Sequence, residues 1–402
     1  MSSDATVAVA TAERPSLRRF LDLDLLDNRY PTLHGLRFLA IISVVQFHVT
    51  WIFAGEQGIK IDGGFMTQSL TIFFGMDLFF ILSGFLIGSI LLRSLEVEGS
   101  QRIRRFYLRR VFRTFPSYYV VLTFLVLTTA LSESQRLHLP YEYFYATNFM
   151  PLGRADTVMF WGWSLGLEEQ FYLAVPLLFF VLHRLKSDRA RLVLLVLLWS
   201  AALANRLYIF YRYAPWTDFT LYSALYFRTQ TRFDTLVTGI ILALVHQRYK
   251  EPIAAWLREP FHRALLAVPA LGGLWLLLDP WLFGERNVQL VHVFCWGTVT
   301  SLMYLAWLIL LLHTDGWIQR ALSAPFYRRV ATLGYGVYLV HIPICDHVIV
   351  PLARALETRK VSMILVWPAS VVVLMALSLV LAYVMHVLIE KPSLRMREWL
   401  AS

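Results

Sequence analysis

The 402-residue chain contains few charged residues and only two cysteines. Charged side chains make up 16% of the sequence, against about 25% in typical soluble domains. Cys295 and Cys345 both fall in apolar stretches, which excludes a disulfide framework and a cysteine-based zinc cluster. Residues 1–30 hold no apolar run that resembles the core of a signal peptide, so we expect the first spanning helix to direct membrane insertion. These features exclude an ordinary soluble domain.

Long apolar runs dominate the sequence. Hydrophobic residues account for 57% of the chain, and the mean hydropathy is +0.56. Runs that approach or exceed the ~17–25 residues needed to span a bilayer predict an all-α, polytopic membrane helical bundle. We expect a tail at 1–30, a membrane domain at 31–392 and a tail at 393–402. About ten transmembrane helices are predicted, near 36–54, 70–92, 111–131, 160–182, 192–210, 232–246 (short for a span), 264–283, 290–313, 331–350 and 363–389.

Positive charge is distributed unevenly between the predicted spans. The two tails and alternate connecting segments hold 25 Lys and Arg residues, whereas the other connecting segments hold 9. Cytoplasmic loops retain positive charge, so both termini are predicted to be cytoplasmic. This topology accounts for most of the net charge of +10. We therefore expect the lipid bilayer, and no nucleic acid, as a partner.

Two ionisable residues are notable in the first apolar run. Arg37 and His48 are about three helical turns, or roughly 16 Å, apart and so face nearly the same way. An ionisable group at bilayer depth costs on the order of 3 kcal/mol and normally faces a partner or a wet cavity. The pair predicts a functional site, with Arg37 near the cytoplasmic surface and His48 in the outer half of the membrane.

Three other ionisable residues are predicted to lie near the depth of His48. Asp77, Glu168 and His341 fall about 10–13 Å from the outer ends of their spans. Such residues can also simply bridge helices, although interhelical hydrogen bonds in membranes average only about 0.6 kcal/mol. Their shared depth favours a common cavity if the four helices are neighbours.

The segment between the second and third predicted spans is rich in arginine. Seven arginines and no lysine occur between residues 93 and 113. Arg109, Arg110 and Arg113 lie at the start of the third span, and the last two are neighbours on a helix. Guanidinium groups can bind phosphate through two hydrogen bonds. They also fix membrane orientation and contact anionic headgroups, so composition alone leaves both roles open.

Six sequence blocks resemble those of one protein family. The first block is YPTLHGLR at 30–37, together with the spacing from Arg37 to His48 that follows it. The others, in chain order, are FGMDLFFILSGFLI at 74–87, RRVFRTFP at 109–116, WSLGLEEQFY at 163–172, YGVYLVH at 335–341 and IEKP at 389–392. Together they are similar to the acyltransferase 3 family of membrane-bound acyltransferases, which O-acylate sugars and other hydroxyl acceptors. His34 is a departure, because the family usually has an aspartate before Gly-Leu-Arg.

The resemblance implies an acyl-CoA co-substrate, with acetyl as the expected acyl group, and no metal. The leading acceptor is a glycan or lipid-linked sugar at the outer face of a bacterial cytoplasmic membrane, with glycan-assembly proteins as partners. The second reading is a cytoplasmic acceptor such as an antibiotic or a lipid. Arg37, Arg109, Arg110 and Arg113 are the expected contacts to acyl-CoA.

Acyl transfer from a thioester to an alcohol needs a base and a group that stabilises the oxyanion. His48 is the expected base because the unperturbed imidazole pKa of ~6.5 lies close to neutrality. Glu168 or Asp77 is expected to orient its ring, and the sequence does not distinguish between them. The expected residues on the acceptor side are His341, Tyr338 and Trp163.

Other interpretations of the same residues stay open. Ser83 could form an acyl-enzyme, although Ser-Gly in an apolar helix more often marks close packing. His48, Glu168 and His341 could instead form the proton relay of a secondary transporter. The two halves show no evident repeat of the kind such transporters often have. Glu390 is a candidate partner for one of the arginines.

Overall fold

The computed structural model describes residues 21–59, 75–94, 101–151, 156–214, 222–278 and 293–401, together with residues 216 and 220. Parts of the predicted spans, at 70–74, 279–283 and 290–292, lie outside these ranges. Within them the regular elements are all helical, which confirms the all-α prediction. Where the structure describes the chain, nine helical segments are long and apolar enough to cross a membrane. The protein is therefore a multi-pass membrane protein.

The α-helices are numbered here in chain order. They are α1 Pro31–Trp51, α2 Gly75–Ser94, α3 Gln101–Thr128, α4 Glu133–Tyr143, α5 Trp163–Arg184, α6 Asp188–Arg212, α7 Thr229–Trp256, α8 Pro260–Leu278, α9 Thr300–His313, α10 Trp317–Leu322, α11 Pro325–Ile344, α12 Val350–Thr358, α13 Met363–Met385 and α14 Lys391–Ala401. Helix α1 packs against α2, α10, α11 and α13. Its position inside the bundle brings both Arg37 and His48 into contact with other helices.

The predicted sixth span, 232–246, lies within α7 and does not reach the hydropathy of a spanning helix. Helix α7 has 28 residues, so its length is not the reason. Arg232 and Asp234 lie near its start and are completely buried, and these charges lower its mean hydropathy. With α7 included, the helices agree with the predicted number of about ten.

Two glycines allow α2 and α7 to approach closely. A Cβ atom on Gly84 would lie 2.1 Å from the carbonyl oxygen of Leu236, and one on Gly239 would lie 2.2 Å from that of Ile81. Small residues permit this kind of backbone contact between membrane helices. Charged side chains of the same two helices are also in contact.

Two buried ion pairs connect α2, α6 and α7. Asp77 pairs with Arg232, and Arg206 lies 2.8 Å from Asp234, with all four side chains at most 1% exposed. Arg206 also donates hydrogen bonds to the carbonyl oxygens of Val293 and Thr231 and to the hydroxyl of Thr298. Buried charges are tolerated when they are paired and hydrogen-bonded in this way.

Candidate active site

His48 of α1 and His341 of α11 form a buried pair, called here the histidine pair. The Nδ1 atom of His48 lies 3.1 Å from Nε2 of His341, and the ring centroids are 5.0 Å apart. His341 is completely buried, whereas His48 is 8% exposed. The structure thus joins two of the four ionisable residues for which the sequence predicts a shared depth.

The hydrogen bonds of the histidine pair define where its protons lie. Nδ1 of His341 is 2.7 Å from the carbonyl oxygen of Tyr338. A carbonyl can only accept, so this Nδ1 carries a proton. In the neutral ring, Nε2 of His341 must then accept, and Nδ1 of His48 must donate. Nε2 of neutral His48 is left with a free lone pair, so His48 is the member of the pair that is arranged as a base.

Aromatic residues just before α5 cover the histidine pair. The Phe160 ring centroid lies 6.0 Å from that of His48, and the Trp161 centroid lies 6.4 Å from that of His341. The Tyr338 hydroxyl donates to the carbonyl oxygen of Trp161 over 2.7 Å. The indole nitrogen of Trp161 is buried and has no hydrogen-bond partner among the residues described. An indole whose N–H lacks a partner in the described part of the chain therefore lies next to the His341 ring.

Glu142, at the end of α4, holds this aromatic segment in place. Its carboxylate is completely buried and accepts hydrogen bonds from the backbone N–H groups of Val158 and Met159, both over 2.8 Å. Burial raises the pKa of Glu142 to about 6. Sequence reasoning missed this residue because it lies between two predicted spans, where a carboxylate is normally solvated.

A cavity of about 250 Å³, called here the arginine cavity, lies where α1, α2, α3, α5 and α11 meet. The basic side chains that line it include Arg37, Arg93, Arg110 and Arg113. The guanidinium of Arg110 stacks over the Tyr172 ring at 4.8 Å. Converging guanidinium groups favour a ligand with several negative charges, such as one carrying phosphates.

A second cavity, of about 30 Å³, lies between the arginine cavity and His341. Tyr338 and His341 line it, and Glu168 lines both cavities. Glu168 is only 7% exposed, and its Oε1 atom has no hydrogen-bond partner in the described ranges. A buried polar atom without a partner commonly indicates a place for water or ligand. Glu168 therefore lies where the arginine cavity meets the cavity that His341 lines.

Three residues that the sequence assigned to the site lie elsewhere. Asp77 is ion-paired with Arg232, so its carboxylate has a partner other than His48. The Trp163 ring packs against those of Phe80, Tyr226 and Phe227, and Trp163 is not among the residues that line either cavity. Arg109 is exposed and is not among the residues that line either cavity. Depth along a helix could be estimated from the sequence, but the direction of each side chain could not.

Two further candidates have other partners in the structure. Glu390 is hydrogen-bonded to His386, with 2.7 Å between its Oε2 atom and Nδ1 of the histidine. Ser83 lines the arginine cavity, and its hydroxyl lies 2.8 Å from that of Tyr172. Its position is at the arginine cavity and not at the histidine pair.

The fold and the site define a class, namely polytopic membrane proteins with a buried pair of imidazoles and a cavity lined by arginines. A family model described as an acyltransferase domain matches residues 30–387. The chain therefore belongs to the acyltransferase 3 family, which confirms the resemblance seen in the sequence blocks.

Several curated relatives are similar to most of this chain. The "Putative O-acetyltransferase" of Staphylococcus aureus strain COL is 26% identical over 341 residues, which are 79% of this chain and 51% of that protein. The "Peptidoglycan O-acetyltransferase OatA" of Listeria monocytogenes is 28% identical over 78% of this chain and 49% of its own length. The "Putative peptidoglycan O-acetyltransferase YrhL" of Bacillus subtilis is 30% identical over 79% of this chain and 49% of its own length.

The chain spans about half the length of the curated relatives it matches. No solved structure matches it.

Proposed function

We propose that this chain is a membrane-bound O-acyltransferase that moves an acyl group, most simply acetyl, from acyl-CoA to a hydroxyl of a glycan or lipid-linked sugar. Membership of the acyltransferase family supports the reaction class. The names of the relatives support acetyl transfer and, for two of them, peptidoglycan as the acceptor. The observation that carries the proposal is Glu168, which lines both the arginine cavity and the second cavity, whose wall includes His341, the partner of the proposed base.

The arginine cavity is the proposed donor site. Arg110 and Arg113 would hold the phosphates of CoA, because guanidinium groups match phosphate geometry. Arg37 also lines this cavity, and it lies roughly 16 Å along α1 from His48. That separation suits a long, extended donor such as acyl-CoA, whose phosphates and thioester lie at opposite ends.

The histidine pair is the proposed catalytic centre. Nε2 of His48 takes the proton of the acceptor hydroxyl while the hydroxyl oxygen attacks the thioester carbonyl. The carbon–sulfur bond then breaks, and the imidazolium returns the proton to the leaving sulfur, giving an ester and free CoA. His341 orients the base by accepting the hydrogen bond from Nδ1 of His48. The buried indole N–H of Trp161 is the proposed donor for the oxyanion.

Substitutions of the arginines test the donor site. We expect Arg110→Ala and Arg113→Ala each to raise the KM for acetyl-CoA about tenfold or more, because a hydrogen bond to a charged group contributes roughly 1.5–3 kcal/mol. The maximal rate should change less. Arg109→Ala is the matched control, since Arg109 is exposed on the same helix and does not line the cavity. If Arg110→Ala, Arg113→Ala and Arg109→Ala all had the same KM for acetyl-CoA, the result would argue against a donor site in the arginine cavity.

Substitution of His341 tests its role as the positioning residue for His48. We expect His341→Ala to lower kcat about tenfold, since the Nδ1 hydrogen bond of His48 is lost. The KM for acetyl-CoA should not change. His341→Gln should recover much of the rate, because its amide can accept from His48 and donate to the Tyr338 carbonyl. A glutamine variant as slow as the alanine variant would contradict this role.

The proposed reaction as a whole is tested with the purified protein in detergent. Acetyl-CoA is supplied with a panel of candidate glycans, and free thiol and O-acetylated product are both measured. Product formation that depends on both substrates supports the proposal. Uptake of an acceptor into vesicles in the absence of acyl-CoA would instead support the transporter interpretation.

A further inference from the structure

His34 is a buried imidazole in the wall of the arginine cavity. It lies in the first turn of α1, three residues before Arg37, and is only 4% exposed. Neither of its ring nitrogens has a hydrogen-bond partner among the described residues. The backbone of Asp27 lies near the ring without meeting hydrogen-bond geometry.

A buried polar group without a partner costs free energy, so its position needs a physical reason. Hydrophobic residues would fill this part of the helix interface more favourably. The cavity that His34 lines holds guanidinium groups, which can only donate hydrogen bonds. A neutral imidazole adds a lone pair as well as an N–H group. Two carboxylates also line the cavity: that of Asp27 accepts from the backbone N–H of Arg29 over 3.1 Å, and that of Glu168 lies where the cavity meets the second one.

We propose that His34 binds an uncharged polar group of the donor, such as a hydroxyl, an amide or an amino group, beside the phosphates held by the arginines. The inference rests on the proposed function, because it takes the donor to be acyl-CoA. Phosphate alone would not need His34, since the arginines supply the donors that phosphate accepts from. A ligand that combines phosphates with hydroxyl and amide groups would use both.

The experiment measures stability and binding separately on the purified full chain in detergent. His34→Leu removes the unpaired polar group with little change in volume, so we expect a higher Tm without ligand. The same variant should bind CoA about tenfold more weakly, the equivalent of one lost hydrogen bond. Pyrophosphate, used as a phosphate-only probe, should bind the parent and the variant equally. His34→Gln, which keeps a donor and an acceptor, should retain most of the affinity for CoA.

His138→Leu is the matched control. His138 is also a buried histidine, and it has a hydrogen-bond partner in Ser134. It belongs to α4, which follows the C-terminal end of α3, whereas Arg110 lies near the N-terminal end of α3. Its loss should lower the Tm and leave CoA binding unchanged. If the leucine variant of His34 does not fold, His34→Ala provides the same comparison.

The outcomes separate the inference from the proposed function. Parental affinity of His34→Leu for CoA would mean that the imidazole meets only water, and the inference would be overturned. Equal weakening of CoA and pyrophosphate would also overturn it, because His34 would then act through the arginines. If the parent protein does not bind CoA at all, the proposed donor is wrong and the inference fails with it.

Discussion

Replacing His48 with alanine is expected to lower the rate of acyl transfer by roughly 10²–10⁴-fold, the usual contribution of a general base. Its Nε2 atom is the one nitrogen of the histidine pair that the hydrogen bonds leave free to take a proton. CoA binding should be retained, because the arginine cavity does not include His48. The measurement is kcat for O-acetylated product, together with CoA affinity on the same preparation.

Free imidazole provides a sharper test of His48. In the His48→Ala variant, added imidazole should restore part of the activity if the lost group is a base. His347→Ala is the control, because His347 is exposed and bonds the carbonyl oxygen of Pro343 one turn earlier. Unchanged turnover in His48→Ala would remove the histidine from the mechanism. A slow variant with lost CoA binding would indicate a structural role.

Replacing Asp77 with alanine is expected to cost about 3–5 kcal/mol of stability, because it leaves the buried charge of Arg232 without its partner. Asp77 is 1% exposed and Arg232 is completely buried, so water cannot replace the carboxylate without opening the α2–α7 interface. The measurement is thermal unfolding in detergent. Most of the protein should be lost to unfolding or aggregation at temperatures where the parent is intact.

A paired substitution separates stability from catalysis at this position. Asp77→Leu combined with Arg232→Leu should recover much of the stability, because replacement of a buried ion pair by apolar residues is often neutral or stabilising. Asp346→Ala, which removes an exposed carboxylate of the same chain, should leave the Tm within about one degree of the parent value, as surface substitutions usually do. If Asp77→Ala is as stable as the parent and loses acyl transfer, its role is catalytic and the ion pair is secondary.

The sequence predicted the fold class because apolar runs of spanning length have few structural alternatives. The backbone of a lipid-exposed segment must satisfy its own hydrogen bonds, and helices do so locally. Helix α7 was the difficult case. Its apolar run appeared short because Arg232 and Asp234 stand at its start, and these charges are acceptable only because other helices supply Asp77 and Arg206. Partners of this kind are tertiary and leave no local pattern.

The candidate site was predicted unevenly. Arg110 and Arg113 could be grouped because a cluster of arginines next to a span is visible in the sequence. Arg37 joined them through its predicted depth near the cytoplasmic surface and through the family resemblance, and the structure places all three on one cavity. Depth estimates grouped His48 with His341 and, less successfully, with Asp77. Residues at one depth can face in different directions. If the predicted orientation of a helix is wrong by half a turn, a residue that is expected to line the cavity faces the protein interior instead.

The sequence by itself determined that this protein crosses the membrane many times, that it belongs to an acyltransferase family and that an imidazole lies in its first spanning helix. Only the tertiary structure decided what that imidazole contacts. The sequence favoured a carboxylate, whereas the partner is His341, 293 positions away. The physical reason is that composition and periodicity act along one helix, while hydrogen bonds between buried groups depend on how several helices pack together.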